Sequence, residues 1–543
     1  MSLGAFCSSG HPARRTAIAL IFLVLLTAAI RMPLLNLPFE RDEGEYAYIA
    51  WRMNFHELPY RDWVDQKPPG VFWVYRLALS LPLNATVAVH LMGFLFSAAT
   101  ACALFFLAGN FMSRFWALAA ATLFVFLSAD PLLYGQSANT ELFMLLPLVA
   151  SQIVFLSRAA KGRREISSAV WTGILIGIAS AFKQVAAINW FFLVAVFPIF
   201  ARGERESRRT LFFAAWSALG VAMVWGIIGA YFAARHGFGD FIYDVFTHNF
   251  AYVSALSWSK RWDYFLTTFR SLARDEWLVW LFSIAGFIVQ AATGRKRHFL
   301  FLLGWTISSG IGVCASGYFF PHYFQQILPV LCLTAAMGAE ASVQFVRTRF
   351  FVWLGRVAMA VVLVMLPAIV IAPFLFVYSP AEAIEKIYPG NHFDVKRQLA
   401  ARLAQITAPD DKVFVFGADP EILFYAHRVS ATRYIFLFPL FGPYPDAKAE
   451  QMATTDEVMR HHPAAICYLP NTLFFGSGTS QYLTQWTRKY MAENFRVDTY
   501  LAYDQTGSVR IVSDVPAQSP SVLAGLRVFG KIDLRKPAIP SVK

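Results

Sequence analysis

About eleven apolar stretches, many of them near the 20 residues that a bilayer core demands, constrain this chain more than any other feature. They lie near 16–36, 86–109, 113–130, 139–157, 167–183, 186–201, 210–234, 276–293, 298–317, 322–345 and 353–378. A composition that is 57% hydrophobic and only 15% charged fits a polytopic membrane protein and no soluble globular class. The first stretch follows Arg14 and Arg15, lacks a small-residue cleavage site and leads into further spans, so it reads as a retained anchor.

The loops between these stretches give the topology. Arg14 and Arg15 set the N-terminus in the cytoplasm. Alternate loops then carry Arg114; Arg158, Lys161, Arg163 and Arg164; Arg202, Arg205, Arg208 and Arg209; Arg295, Lys296 and Arg297; and Arg347, Arg349 and Arg356. All fall on one side, as the positive-inside rule asks. The net charge of +13 is therefore a topology signal, and a nucleic-acid partner is excluded. Phe39–Gly70, Arg235–Asp275, Ser316–His322 and everything after Tyr378 fall outside. Lys183 sits oddly, in an outer turn between two spans. Cys7, Cys102, Cys314, Cys332 and Cys467 are scattered with no C-x-x-C, so neither a disulfide framework nor a metal knuckle is expected.

After Tyr378 charges return and short apolar runs alternate with helical patterns. Helices are expected near 393–406, 420–427, 447–461 and 480–492. Strands are expected at 413–416, 432–438, 464–469, 497–502 and 509–512. That alternation argues an α/β layer domain. Residues 1–378 then form the membrane domain, with its first outer loop at 37–85; 379–515 form the outer domain, and 516–543 read as a loose tail.

The first outer loop concentrates chemistry. Glu40, Arg41, Asp42, Glu43 and Glu45 are followed by Arg61, Asp62, Asp65 and Lys67. Charges at this density do not sit in lipid. Tyr46, Ile49, Ala50 and Met53 recur at helical spacing, which suggests a short helix lying on the interface, apolar face down. The acidic pair Asp42-Glu43 suits a general base beside a membrane-facing cleft. Equally, Asp42-x-x-Glu45 fits a capping box with Asp42 as N-cap. Lys67, stiffened by Pro68-Pro69, is a point charge suited to a lipid phosphate, or a snorkelling lysine at a span end. His322 and Tyr323 at the mouth of a later span suit phosphate or sugar contact, or an aromatic belt. The loop 235–275 mixes aromatics and carboxylates and reads best as an amphipathic interfacial helix. No H-E-x-x-H, P-loop or G-x-S-x-G is present, which argues against membrane proteases, ATPases and lipases.

Taken together, the first span, Arg41-Asp42-Glu43-Gly44-Glu45-Tyr46, Asp65-Gln66-Lys67-Pro68-Pro69-Gly70, Pro321-His322-Tyr323-Phe324 and Leu328-Pro329 resemble the bacterial branch of the protein O-mannosyltransferase superfamily, with the lipid A aminoarabinose transferases. These are GT-C glycosyltransferases. The resemblance implies a sugar donor carried on polyprenyl phosphate, an acceptor hydroxyl on a lipid, glycan or protein, and transfer on the periplasmic face of a bacterial inner membrane. It implies Asp42 as catalytic base with Glu43 beside it, Lys67 and His322 at the donor phosphate, and Glu45, Tyr46, Asp65, Gln66 and Tyr323 around the substrate. Two positions depart from the aminoarabinose pattern, where an arginine and a glutamate stand in place of Glu45 and Gln66. A lipid A substrate does not carry over with them. No metal ligand is assigned, and a divalent metal is the one cofactor left open. A transporter or flippase of polyprenyl-linked sugars is the alternative. It calls for ionisable residues at mid-span and broken helices in matching halves, which the sequence lacks. A binding or assembly subunit ranks third, because it leaves the acidic pair without a role.

Overall fold

The computed structural model describes residues 10–161, 164–201, 206–254, 256–343, 349–442, 446–473, 480–513 and 526–537. Arg163, Arg202, Arg205, Arg347 and Cys7, named above, lie outside them. Each apolar stretch of the sequence falls on a helix. Six described helices are long and apolar enough to cross a membrane: Ala13–Leu34, Ala85–Ala108, Thr140–Lys161, Glu206–Ala234, Pro321–Val343 and Val352–Phe376. Arg114–Leu127, Glu165–Ser180, Gln184–Phe200 and Trp277–Ala292 are shorter and pack among them. Close packing relies on small residues, as it does where lipid supplies no hydrophobic drive between helices. A Cβ on Gly286 would lie 2.0 Å from the Thr334 carbonyl oxygen, and one on Gly338 2.0 Å from that of Phe282. Ser283 and Thr334 hydroxyls meet at 2.7 Å beside that contact.

The chain ends in an α/β domain with a six-stranded mixed sheet. Its strands are β1 (Lys412–Phe416), β2 (Val429–Ser430), β3 (Ala465–Tyr468), β4 (Phe495–Tyr503), β5 (Val509–Ser513) and β6 (Arg527–Arg535). The order is β2-β1-β3-β6-β4-β5, parallel from β2 to β3 and antiparallel from there. Two expectations are corrected here. The region read as a loose tail contains β6, which inserts between β3 and β4 and buries Ile532 and Asp533. Residues 514–525 and 538–543 lie outside the described residues. The strand expected at 432–438 is instead irregular backbone after the two-residue β2. Two of its hydrogen bonds reach the first outer loop: the Val64 N–H donates to the Arg433 carbonyl (3.1 Å) and the Arg433 guanidinium to the Tyr60 carbonyl (2.7 Å).

The first outer loop is held between the two domains. Its helix spans Arg41–Arg52 and is buried from Glu43 to Ala50, so it does not lie on the interface with one face in lipid. It packs on the helix Gly70–Leu79 and on Pro420–Ala426 of the C-terminal domain. Gly44 permits the second contact, since a Cβ there would stand 2.5–2.6 Å from Glu421 backbone and Cβ atoms. The cap also lies two residues before the expected one. Glu40 is the N-cap, accepting from the Asp42 and Glu43 N–H groups, and Glu43 Oε2 accepts from the Glu40 N–H (3.2 Å). A capping box built from Glu40 and Glu43 leaves the Asp42 side chain out of the cap. The helix Trp258–Asp275 in the later outer loop is amphipathic, with Trp258 and Trp262 exposed, as expected.

Candidate active site

A cavity of about 220 Å³ opens where the loop helix, the membrane helices and the C-terminal domain meet. Glu40, Arg41 and Asp42 line it from the start of the loop helix, and Gln66 and Lys67 from the segment before the next helix. Tyr134, Phe320, His322 and Tyr323 line it from the membrane domain. Tyr388, Asn391, Phe393, Phe436 and Phe438 complete it from the C-terminal domain.

The Lys67 segment is pinned on both sides. Asp65 Oδ1 accepts from the Lys67 N–H (2.8 Å), the Tyr60 hydroxyl donates to the Lys67 carbonyl (2.7 Å), and the Gly70 N–H donates to Ala181 (2.9 Å). Gln184 and Asn249 both donate to the Gln66 carbonyl. With Pro68-Pro69 fixing the backbone that follows, the Lys67 ammonium is delivered 3.9 Å from Asp42 Oδ2 and 5.3 Å from the centroid of the Tyr46 ring. Both Lys67 and Asp42 are only partly exposed, at 18% and 22% of their side chains. That separation is an ion pair without a hydrogen bond, so each group keeps hydrogen-bonding capacity for a third group in the cavity.

Burial works against the Lys67 charge, but Asp42, Tyr46, Asp65 and Glu45 around it outweigh that and hold its pKa well above the ordinary lysine value. Burial raises the Asp65 carboxyl to about 6, partly offset by Lys67. Burial, then the neighbouring Asp65, raises Glu45 well above its usual range. Burial, then Asp42 and Glu43, does the same for Glu40. The site is a cation set among more carboxylates than it can neutralise.

Asp42, Lys67, Gln66, His322 and Tyr323 thus converge on one cavity. Glu45 and Asp65 lie next to it, lining a smaller cavity that shares Gln66 and Lys67. Tyr46 is 1% exposed, wedged between Phe72 and Tyr75, and offers only its ring face to Lys67. Glu43 is turned away. Its Oε1 accepts from the Ala138 N–H (2.7 Å) and contacts His90 Nε2 (3.0 Å), while its Oε2 closes the cap, so it fixes the loop to the membrane helices.

Sequence reasoning missed Glu141 and Lys183. They form a direct buried ion pair behind His322 and Tyr323. Glu141 Oε1 is 3.8 Å from His322 Nε2, its Oε2 accepts from the Thr140 hydroxyl (2.8 Å), and Lys183 Nζ stands 3.5 Å from the centroid of the Tyr323 ring. The signal was present: a lone carboxylate at the start of an apolar run and a lysine in a turn that topology did not explain. Arg41 and Asn391 were missed too. Arg41 donates to Asn391 Oδ1 (3.1 Å) and to the Ala418 carbonyl (2.8 Å), tying the loop to the C-terminal wall. Among the described residues no three His, Cys, Asp or Glu side chains converge as a metal site.

Residues 66–227 match the family model of dolichyl-phosphate-mannose-protein mannosyltransferases. No curated protein sequence matches the chain. Among solved structures, ArnT from Cupriavidus metallidurans in the apo state is 14% identical, with 96% of this chain and 98% of that one covered at a TM-score of 0.54. The same enzyme bound to undecaprenyl phosphate is 14% identical over 94% and 99%, at 0.53. The archaeal oligosaccharyltransferase AglB from Archaeoglobus fulgidus, in complex with an inhibitory peptide and a dolichol-phosphate, is 13% identical over 94% and 76%, at 0.51.

Proposed function

We propose that this chain, which has the fold of the GT-C glycosyltransferases, moves a sugar from a polyprenyl-phosphate donor to an acceptor hydroxyl on the periplasmic face of a bacterial inner membrane. The observation that carries the reading is the open Asp42–Lys67 pair in the lining of a cavity that is rich in aromatic side chains. A base and a cation held 3.9 Å apart, without bonding each other, are suited to a reaction in which a proton leaves one end and a phosphate the other. The match to mannosyltransferases and the ArnT fold bound to undecaprenyl phosphate support the lipid-linked donor.

In this reading Asp42 takes the proton of the acceptor hydroxyl. The freed oxygen pair attacks the anomeric carbon, and the bond from that carbon to the phosphate oxygen breaks with its electrons staying on phosphate. Lys67 neutralises the departing polyprenyl phosphate, and His322 and Tyr323 flank it. In-line attack inverts the anomeric centre. The basic residues of alternate loops support the periplasmic side, because they fall on the opposite face from Asp42.

The test is turnover of a polyprenyl-phosphate sugar by the purified protein in detergent. Lys67→Met should insert and unfold like the parent but raise the donor KM by on the order of tenfold or more, because a charge-assisted phosphate contact is lost. An unchanged donor KM returns Lys67 to a snorkelling role, and a parent that transfers no polyprenyl-linked sugar overturns the function.

A further inference from the structure

Beside the main cavity lies a second, of about 20 Å³, floored by Glu45, Asp65 and Gln66. Its volume is just above the roughly 10–15 Å³ needed for one water-sized group. Two oxygens of its lining are buried acceptors without a partner among the described residues. Asp65 is 4% and Glu45 3% exposed. Asp65 uses Oδ1 on the Lys67 N–H, but its Oδ2 finds no hydrogen-bond donor among the described residues, nor does Gln66 Oε1. A buried acceptor left unmatched costs about 1–3 kcal/mol, so two in one lining call for a donor from outside. Phe436, Phe438 and Pro439 from the C-terminal domain give the cavity an apolar side, and Lys67 and the His248 ring complete the lining. Gln66, Lys67, Phe436 and Phe438 line both cavities, so a group anchored at Lys67 is adjacent to the small one.

We propose that this pocket is a sugar-recognition subsite, taking one hydrogen-bond-donating substituent of the transferred sugar, a hydroxyl or an ammonium. It rests on the donor reading above. With the lipid phosphate at Lys67, the sugar ring lies within reach of these acceptors. The aromatic side offers faces for the ring's C–H side, as amphipathic rings do. Asp65 is then both a positioning residue, through Oδ1 on the Lys67 backbone, and a recognition residue, through Oδ2. A site built around buried acceptors strongly rejects an analogue lacking the donor.

Asp65→Asn separates the two roles. Its Oδ1 still accepts from the Lys67 N–H, but an NH₂ replaces the acceptor facing the pocket. The experiment measures binding to detergent-purified protein of bare polyprenyl phosphate, of polyprenyl-phosphate hexose, of its monodeoxy analogues and of the corresponding amino sugars. The parent should bind its preferred sugar-lipid on the order of tenfold or more above the bare lipid, and lose that gain for one monodeoxy position or show it only for an amine. Asp65→Asn should erase the gain while leaving the bare lipid bound at least as well. Glu45→Gln, measured in parallel, should reduce it as well and covers the case in which Asp65→Asn misfolds. A gain that survives in the folded variants overturns the subsite, as does a parent that prefers no sugar-lipid over bare phosphate. Because the readout is binding, a failure of transfer chemistry shows up separately, as a donor that binds but does not turn over.

Discussion

Lys183 and Glu141 touch directly, while Lys67 and Asp42 stand 3.9 Å apart with no hydrogen bond between them. The first pair is closed, with Glu141 2% exposed and its other oxygen occupied by Thr140. The second stands in the wall of a cavity, with both side chains about a fifth exposed. Two lysine–carboxylate pairs thus serve one site in opposite ways. In the closed pair each charge meets its counter-charge directly, beside His322 and Tyr323. The open pair leaves two charged groups facing the cavity with no hydrogen bond between them. Removing one partner of a buried pair strands a charge, whereas an open pair loses little stability when broken.

The sharpest way to break that comparison is Glu141→Gln. It should cost about 3–5 kcal/mol of stability, because it leaves the Lys183 ammonium buried without its counter-charge. Thermal unfolding in detergent measures it, and the double variant Glu141→Gln with Lys183→Met should recover part of the loss. A Glu141→Gln protein as stable as the parent would mean that the closed pair is no more structural than the open one.

A smaller effect sharpens the contrast at the seam between the domains. Asp244 is 4% exposed, and burial, eased only partly by Arg433, raises its carboxyl to about 8. A carboxyl raised in the folded state binds its proton more tightly there than in the unfolded chain. Its stabilising contribution is therefore full below about pH 4 and is lost as pH rises through 8, with Asp65 adding a similar loss near 6. Asp244→Asn should flatten the decline, leaving the melting temperature unchanged near pH 4 and higher than the parent's at pH 9. A melting curve that falls equally in both proteins would remove Asp244 from the seam's pH response.

The membrane domain was legible because apolar stretches and basic loops are local signals, and helices formed where those stretches fall. Asp42 and Lys67 were legible from one short loop whose charges cannot sit in lipid. What escaped was set by long-range contact. The cap shifted to Glu40 because Glu43 is drawn to Ala138 and His90, 95 and 47 residues away. The loop helix is buried rather than interfacial because Pro420–Ala426 covers it, against Gly44. Strand β6 escaped because Pro and Ser on either side masked a nine-residue alternation that only pairing with β3 and β4 reveals. The aromatic wall of Phe393, Phe436 and Phe438 is read from the folded chain alone, since nothing local connects it to Asp42.

The central claim is that Asp42 acts as a base and not as a cap, and turnover of Asp42→Asn tests it most directly. The N-cap is Glu40, so the substitution leaves the capping box intact and the protein should insert and unfold like the parent. An amide cannot take a proton at neutral pH, so transfer from a polyprenyl-phosphate sugar should fall by on the order of 10²–10⁴. Near-parental turnover by a folded Asp42→Asn would contradict the account.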